Sequence, residues 1–407
     1  MAESTFPKPY NSIMASTNKD KVQHGADAQK VIEGYILQLL HSGLIAEYKG
    51  PFRIGYAGFK KDQFYAPFLI TFLNGEKWIV YSTTSYRSDR IKEQFWDTVN
   101  LKHLDNKITK AYLVYPTAIA PEEEQKFKAA AKLIVTKEVL TSLDAIFSFP
   151  EFKKHILDKI TLTKSKGYQQ NARGAMFETE IANALKNAAN LRELRGHNPN
   201  NITDNLEYLN EILNTISVDP YEIAWIEATS DAEDIGLLPT GGKPKTDVLA
   251  DIHMSDGTNH RLTISAKKTS SDRVTVAQYK ADDIADAVDP GNCKLKELLN
   301  KFQKVGAIGF MDQKDIDDLT EELQPIMRRF CLWVLGGIGG LGNTSIQWAR
   351  YIAVSKSNDP DDFEFWPIDE YIDELLKNSK GHFGTPFSWT YASGEQGKSI
   401  QLKAKVL

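Results

Sequence analysis

The sequence predicts an α/β protein in two units. A compact N-terminal α/β domain spans residues 21–160 after a polar arm at 1–20, and a larger unit spans 165–407, where a mixed sheet is flanked by helices. Three observations predict it. Amphipathic helical stretches alternate with short apolar runs bounded by turn residues. A strong hairpin pattern centres on Asp256-Gly257, well inside the second unit. A lysine-rich stretch from Phe147 to Gly167 separates the two patterns.

Composition bounds the classes. The chain has 407 residues, 42% hydrophobic and 25% charged, the balance of an ordinary globular protein with room for two or three domains. Two cysteines, Cys293 and Cys331, do not make a disulfide framework or a four-ligand zinc site, and read as buried or inert thiols in a reducing compartment. Met1-Ala-Glu-Ser-Thr lacks the basic and apolar regions of a signal peptide, and no apolar run approaches a membrane span. A cytoplasmic protein is expected, with no membrane and no protein partner evident. The net charge of −5 does not advertise nucleic-acid binding and does not exclude it, because a nuclease concentrates its basic groups in one cleft. Locally the tail is basic: Lys398, Lys403 and Lys405 follow the last acid, Glu395.

Taken in order, Ile32, Tyr35, Ile36, Leu39 and Leu40 form the stripe of a helix from about Asp27 to Leu44. Strand-like runs follow at Arg53–Phe59, Pro67–Leu73, Trp78–Thr84, Lys110–Pro116 and Lys132–Thr136, with Asn74-Gly75 as a hairpin turn. Ile91–Val99 and Pro121–Ala131 read as helices between them. Beyond the boundary, Phe177, Ile181 and Leu185 stripe a helix over 171–185, and another runs over 206–216. Glu227–Asp234 reads as an acidic loop. Arg273–Tyr279 begins a strand, followed by helices to about Ala287, over Leu295–Gln303 and over Gln313–Leu335, the last kinked near Pro325. Ile368, Tyr371, Ile372, Leu375 and Leu376 stripe a further helix, preceded by a solvated acidic run at Asp359, Asp361, Asp362 and Glu364. The aromatic, glycine-rich and basic segment 381–407 reads as a terminal hairpin.

The chemistry concentrates at the central hairpin. Val248, Ala250 and Ile252 alternate with Leu249 and Asp251, and Ser255-Asp256-Gly257-Thr258 supplies the turn. On the return strand Leu262, Ile264 and Ala266 share one face, and Thr263, Ser265 and Lys267 the other. A pivot on Asp256–Gly257 pairs residue numbers that sum to about 513 and sets Asp247 opposite Ala266, between Ser265 and Lys267. A carboxylate, a hydroxyl and an ammonium then meet at one end of the hairpin. That combination suits a metal-dependent phosphodiesterase: the carboxylate holds a hard divalent cation, and the lysine orients the attacking water and stabilises charge on the phosphorane.

The ordered strings Gly241-Gly-Lys-Pro-Lys-Thr-Asp247, Ser265-Ala-Lys267, Val274-Thr-Val-Ala-Gln-Tyr279, Leu295-Lys-Glu-Leu-Leu299, Leu323-Gln-Pro-Ile-Met-Arg-Arg-Phe330 and Phe383-Gly-Thr-Pro-Phe-Ser-Trp-Thr-Tyr-Ala-Ser-Gly394, with Lys398–Lys403, resemble the MspI/HpaII group of type II restriction endonucleases. The resemblance covers about residues 165–407. It implies a restriction-endonuclease-like PD-(D/E)xK core, a mixed sheet flanked by helices, beside the separate N-terminal α/β domain. It also implies Mg²⁺ as cofactor, double-stranded DNA as partner, a cognate DNA methyltransferase as companion in a bacterial cytoplasm, and cleavage of CCGG after the first cytosine. Carried over residue by residue, it makes Asp247 a direct metal ligand, Glu178 a further metal ligand through water, and Lys267 the residue that positions the nucleophilic water. The twenty-residue spacing from Asp247 to Lys267 matches the family. Ser265 stands where standard members have an acid and this group has Asn, and is expected to hold a water through its hydroxyl. Thr275, Thr390, Tyr391, Ser393, Gln401 and Lys403 are the expected DNA-binding residues, with Lys suited to guanine and Gln to adenine or a shared base.

Two other readings remain open on the sequence. One is a DNA-binding protein with a disabled nuclease site. The other is a nucleotide-cofactor enzyme, since Gly337-Ile-Gly-Gly-Leu-Gly342 matches G-x-G-x-x-G. Against the latter, Thr344–Arg350 is too short for a crossover helix, and too little chain remains for a doubly wound sheet. A mobile glycine loop near the DNA is the expected role. The N-terminal order of helix, hairpin and strand–helix–strand echoes the nuclease fold itself, with Tyr81-Ser-Thr-Thr-Ser-Tyr86 where an acid-x-Lys would stand. Arg87, Arg90 and Lys92 are candidate DNA contacts there.

Overall fold

Two five-stranded mixed sheets, each opened by a long helix, organise the chain. The computed structural model describes residues 18–56, 63–116, 119–138, 141–161, 166–196, 198, 201–269, 271–356, 362–392 and 394–407. The predicted arm at 1–20 lies outside the described residues up to 17, and 18–20 belong to the first helix. Asp359, Asp361, Ser393 and the side chains of Arg90 and Lys92 also lie outside them.

The first sheet follows helix α1 (Asn18–His41). Its elements are β1 (Glu47–Lys49), a side hairpin of β2 (Phe52–Ile54) and β3 (Phe64–Ala66), then β4 (Phe68–Thr71), β5 (Lys77–Ser82), α2 (Ser88–Leu104), β6 (Ile108–Tyr115), α3 (Pro121–Val135), β7 (Ala145–Ser148) and α4 (Phe149–Thr161). The spatial order is β1-β4-β5-β6-β7. The first three strands are antiparallel and the last three parallel.

The expected strand at Lys132–Thr136 is not one. Those residues continue α3, because Phe127, Ala130 and Ile134 form one inward stripe at helical spacing. The strand that closes the sheet is β7, whose last two residues fall in the stretch predicted as the boundary. It is placed by Asp144, whose carboxylate accepts the Ala111 amide at 2.8 Å and pairs with Lys102 and Lys110.

The second sheet follows α5 (Lys166–Lys186), α6 (Ala188–Arg195) and α7 (Leu206–Thr215). It comprises β8 (Ile223–Thr229), the short helix α8 (Ala232–Ile235), β9 (Val248–Met254) and β10 (Asn259–Lys268). Next come β11 (Arg273–Tyr279), α9 (Ala281–Val288), α10 (Cys293–Val305), α11 (Gln313–Leu323) and α12 (Met327–Gly336). The chain ends with β12 (Tyr351–Ser355), β13 (Phe363–Pro367), α13 (Ile368–Asn378), β14 (Phe387–Thr390) and β15 (Ile400–Lys405). The predicted kink at Pro325 is a single 3-10 turn, Gln324–Ile326, between α11 and α12. Glu227–Thr229, expected in a loop, form the end of β8.

The spatial order is β13-β12-β10-β9-β8, with β8, β9 and β10 antiparallel and β12 parallel to β10. One apolar core lies between this sheet and α5 and α7, through Phe177, Ile181, Leu185, Leu209, Ile212, Val248, Ala250 and Ile264. A second core lies under α9–α13 and includes Ile352 and Val354 of β12 together with a separate three-stranded sheet, β11-β15-β14. The two halves of the chain meet along α1 and α5: Ala172 and Met176 join the core of Ile32, Tyr35, Ile36 and Leu39, and the Gln38 amide donates to Met176 O at 2.5 Å.

Candidate active site and nucleic-acid interface

The site begins with the turn at the far end of β9–β10. Observed partners sum one lower than expected: His253 pairs with Asn259 and Val248 with Ile264. Gly257, at φ +87°, lets a three-residue loop close between Met254 and Thr258, so the pivot is Asp256 rather than the Asp256–Gly257 bond. Asp247 therefore faces Ser265, not Ala266.

The expected convergence is present. Asp247 Oδ2 accepts hydrogen bonds from the Ala266 amide at 2.8 Å, Lys267 Nζ at 2.9 Å and Ser265 Oγ at 3.3 Å. Among the described residues no donor reaches Oδ1. Lys267 Nζ also donates to Ala266 O at 3.0 Å, which leaves one of its three N–H groups for a ligand. Ser265 is fully buried, and its hydroxyl is spent on Asp247. It thereby holds the Asp247 carboxylate.

Glu178 stands across from this group on α5. Burial and the neighbouring charge of Asp247 push its carboxyl from 4.5 up to about 8, with Lys267 and Lys243 pulling the other way. Its chain neighbours hold the helix against β10. Lys268 Nζ lies 5.2 Å from the Phe177 ring centroid and 3.5 Å from Glu180, and Thr179 Oγ1 meets Ser230 Oγ at 2.8 Å. None of Thr179, Glu180, Lys268 or Lys243 stood out in the sequence. Their signal is adjacency to Glu178, Lys267 and the glycine turn before Asp247, which becomes readable only once α5 is known to pack on β10.

Among the described residues no group of three or more His, Cys, Asp or Glu side chains converges. The site offers two carboxylates that repel each other, one with an oxygen free of donors. That donor set fits a hard cation completing its shell with water and phosphate oxygens.

The three-stranded sheet gathers most of the expected DNA-binding residues. Its register sets Thr275 beside Lys403 and Lys403 beside Ser388, then Gln278 beside Gln401 and Gln401 beside Thr390. Leu402, Ala404, Phe387 and Trp389 point into the core, so Thr275, Thr390, Gln401 and Lys403 share the open face. Tyr391 continues past β14 and packs over Gly306, where a Cβ would come within 2.7 Å of its ring. Ser388, a polar group of the tail read as suited to base edges, shares this face, and Gln278 joins it unpredicted.

The glycine run follows a helix, not a strand. Gly337, at φ +70°, caps α12. Thr344–Arg350 forms no helix, so the strand–turn–helix of a dinucleotide site is missing. The segment that follows the glycines is anchored. The Gln347 side chain accepts the Asn343 amide and donates to the carbonyls of Ile235, Gly236 and Leu237 at 3.0–3.2 Å. Burial in the α12 core pushes the Cys331 thiol up to about 12, whereas Cys293 is exposed. No helix among the described residues is long and apolar enough to cross a membrane.

Comparison with known proteins completes the picture. The family model described as Restriction endonuclease MspI matches residues 152–404. The type II restriction enzyme BsuFI of Bacillus subtilis is 28% identical over 405 residues, covering 96% of this chain and 99% of that protein. The type II restriction enzyme MspI of Moraxella sp is 26% identical over 252 residues, 58% of this chain and 91% of that protein. The crystal structure of restriction endonuclease MspI in complex with its cognate DNA shares the fold. Its TM-score is 0.52 at 23% identity, over 62% of this chain and 97% of that one.

Proposed function

The chain belongs to the MspI restriction endonuclease family, and from that premise we propose that it cuts double-stranded DNA at CCGG after the first cytosine, with Mg²⁺, leaving 5′-phosphate and 3′-hydroxyl ends. The observation that carries this reading is the convergence of Ser265, the Ala266 amide and Lys267 on one oxygen of Asp247, facing Glu178. When bound, the cation neutralises charge on the scissile phosphate and acidifies water. Asp247 offers Oδ1 to it, held in place by the three donors on Oδ2. Glu178 contributes the second carboxylate, through water. Lys267 uses its remaining N–H to orient the attacking water and to meet charge on the phosphorane. Ser265 acts through Asp247.

Specificity belongs to the open face of β11-β15-β14. Lys403 is suited to guanine O6 and N7, and Gln401 to a base edge beside it, while Thr275 and Thr390 flank them. The host's own CCGG sites call for a cognate methyltransferase as companion.

The N-terminal half is read as a second copy of the nuclease fold without its chemistry. Both sheets run helix, three antiparallel strands, then a parallel strand. Aligned on the first ladder pairs, Phe68–Val80 and Val248–Ile264, the residues Pro67, Tyr81 and Thr83 stand where Asp247, Ser265 and Lys267 stand. No carboxylate or lysine occupies those places. Arg87 is paired with Asp89 on the surface, which leaves it a weak candidate for phosphate.

The test is digestion of unmethylated phage DNA with and without Mg²⁺, with end mapping. Fragments that begin 5′-phosphate-CGG are expected. Cutting at a different sequence would overturn the assignment of the recognition face, and cutting in EDTA would overturn the metal.

A further inference from the structure

A lysine links the sheet that carries the expected base contacts to the loop that carries Asp247. Thr275 pairs with Lys403 and Ala277 with Leu402, so two steps along β11 oppose one step along β15. Val276 is the extra residue of this bulge, and its carbonyl is turned out of the ladder. That carbonyl accepts Lys245 Nζ at 2.6 Å. Lys245 precedes Asp247 by two residues. The same amine lies 5.3 Å from the centroid of the Tyr279 ring, also on β11, and Tyr279 in turn packs on Trp333 of α12 at 4.7 Å. On the other side Gly337 closes over the stem: a Cβ there would stand 3.1 Å from Lys245 Cγ. The lysine is thus walled in by β11, the end of α12 and the glycine loop.

We propose that Lys245 is a positioning residue that couples base recognition on β11 to the placement of the Asp247 carboxylate. This rests on the reading of Asp247 as the metal-holding residue and of Thr275, Gln401 and Lys403 as base contacts. Thr275 is the bulge's first residue, so a mismatched base that displaces the Thr275–Lys403 row displaces Val276 O with it. The displacement passes along the hydrogen bond into the Lys245-Thr246-Asp247 backbone. A shift of about 1 Å in a catalytic group costs about a hundredfold in rate, so a small misfit at the DNA is enough to disarm the site. The bulge gives Val276 the free carbonyl, the glycine turn before Pro244 gives the lysine its approach, and Gly337 leaves room for its stem. These three features, otherwise unrelated in sequence, share one purpose on this account.

The experiment uses the full chain and two duplexes, one containing CCGG and one with a single altered base pair. Wild type, Lys245→Met and Lys245→Arg are compared for kcat on each duplex, for Kd on the CCGG duplex in EDTA, and for Tm. For Lys245→Met, kcat on CCGG should fall about tenfold and the CCGG-to-altered ratio should fall with it, because the hydrogen bond that ties the Asp247 loop to the β11 bulge is lost. Kd should stay within about twofold, since the amine is engaged by Val276 O and enclosed against the Tyr279 ring. Lys245→Arg, which keeps a donor, should recover most of the ratio. A ratio equal to that of wild type overturns the proposal. So does an equal loss on both duplexes accompanied by a lower Tm, the signature of a merely structural lysine. Should Lys245→Met not fold, Lys245→Gln reads the same ratio with a shorter neutral donor, and the same outcomes decide. A wild type that does not prefer CCGG removes the functional reading itself, which separates that failure from this one.

Discussion

Glu178 carries a pH dependence that distinguishes it from a surface glutamate. Its folded pKa is about 8 against 4.5 for the free side chain, because burial and Asp247 disfavour its charge. Between those values the folded chain holds a proton that the unfolded chain has lost, so stability falls as pH rises through the window. The metal-free protein is expected to have a lower Tm at pH 8 than at pH 6, and Glu178→Gln should remove much of that drop. A Tm difference untouched by the substitution would place the charge repulsion elsewhere. Divalent cation affinity should rise with pH over the same interval, since the cation competes with that proton. At this scale Asp247 and Lys267 were legible from spacing and residue type, and Glu178 from the family resemblance. For Ser265 the sequence suggests a hydroxyl that holds a water, because it stands where the family has a polar side chain. Only its full burial shows the hydroxyl turned to Asp247.

At the scale of elements, the open face of β11-β15-β14 predicts two kinds of mutant. Lys403→Ala and Gln401→Ala should each cost about 1–3 kcal/mol in discrimination at one base pair while leaving other positions intact. Cleavage of duplexes varied one pair at a time checks this; uniform weakening across all duplexes would make them phosphate contacts instead. β11 lies far in sequence from the β14–β15 hairpin it pairs with, and the alternation of each strand alone could be seen there. Which residues share a row depends on the bulge at Val276, and a one-residue insertion has no signature in a run as short as Arg273–Tyr279. The central hairpin taught the same lesson. Ser255-Asp256-Gly257-Thr258 announced a turn, but the positive φ of Gly257 chose a three-residue loop and moved every partner by one. Likewise Lys132–Thr136 is β-branched enough to suggest a strand, yet the stripe through Phe127 and Ala130 holds it in α3.

At the scale of the whole molecule the halves are not strung on a linker. Lys153 of α4 pairs with Asp204 of the second half at 3.3 Å, and Arg192 of α6 reaches Asp27 of α1 at 3.4 Å. Burial alone would lower the Lys153 amine, but Asp204 and Glu180 outweigh it and hold it above its usual value. Lys153→Met should therefore destabilise the chain by about 1–3 kcal/mol in urea unfolding, since it strands Asp204, and adding Asp204→Asn should recover part of the loss. Two additive losses would mean that the pair does not couple. The sequence showed two α/β patterns and a lysine-rich seam between them. It did not show that the seam is a helix, or that α5 lends Ala172 and Met176 to the first core, because contacts between halves leave no periodicity to read.

The central claim is that Asp247 serves the chemistry and the β11-β15-β14 face serves the binding. The most direct test compares wild type with Asp247→Ala on one CCGG duplex, with affinity and cleavage measured side by side in Mg²⁺. The account predicts affinity within a few-fold of wild type and cleavage reduced about a thousandfold or more. Cleavage that survives the substitution, or affinity lost along with it, would contradict the account.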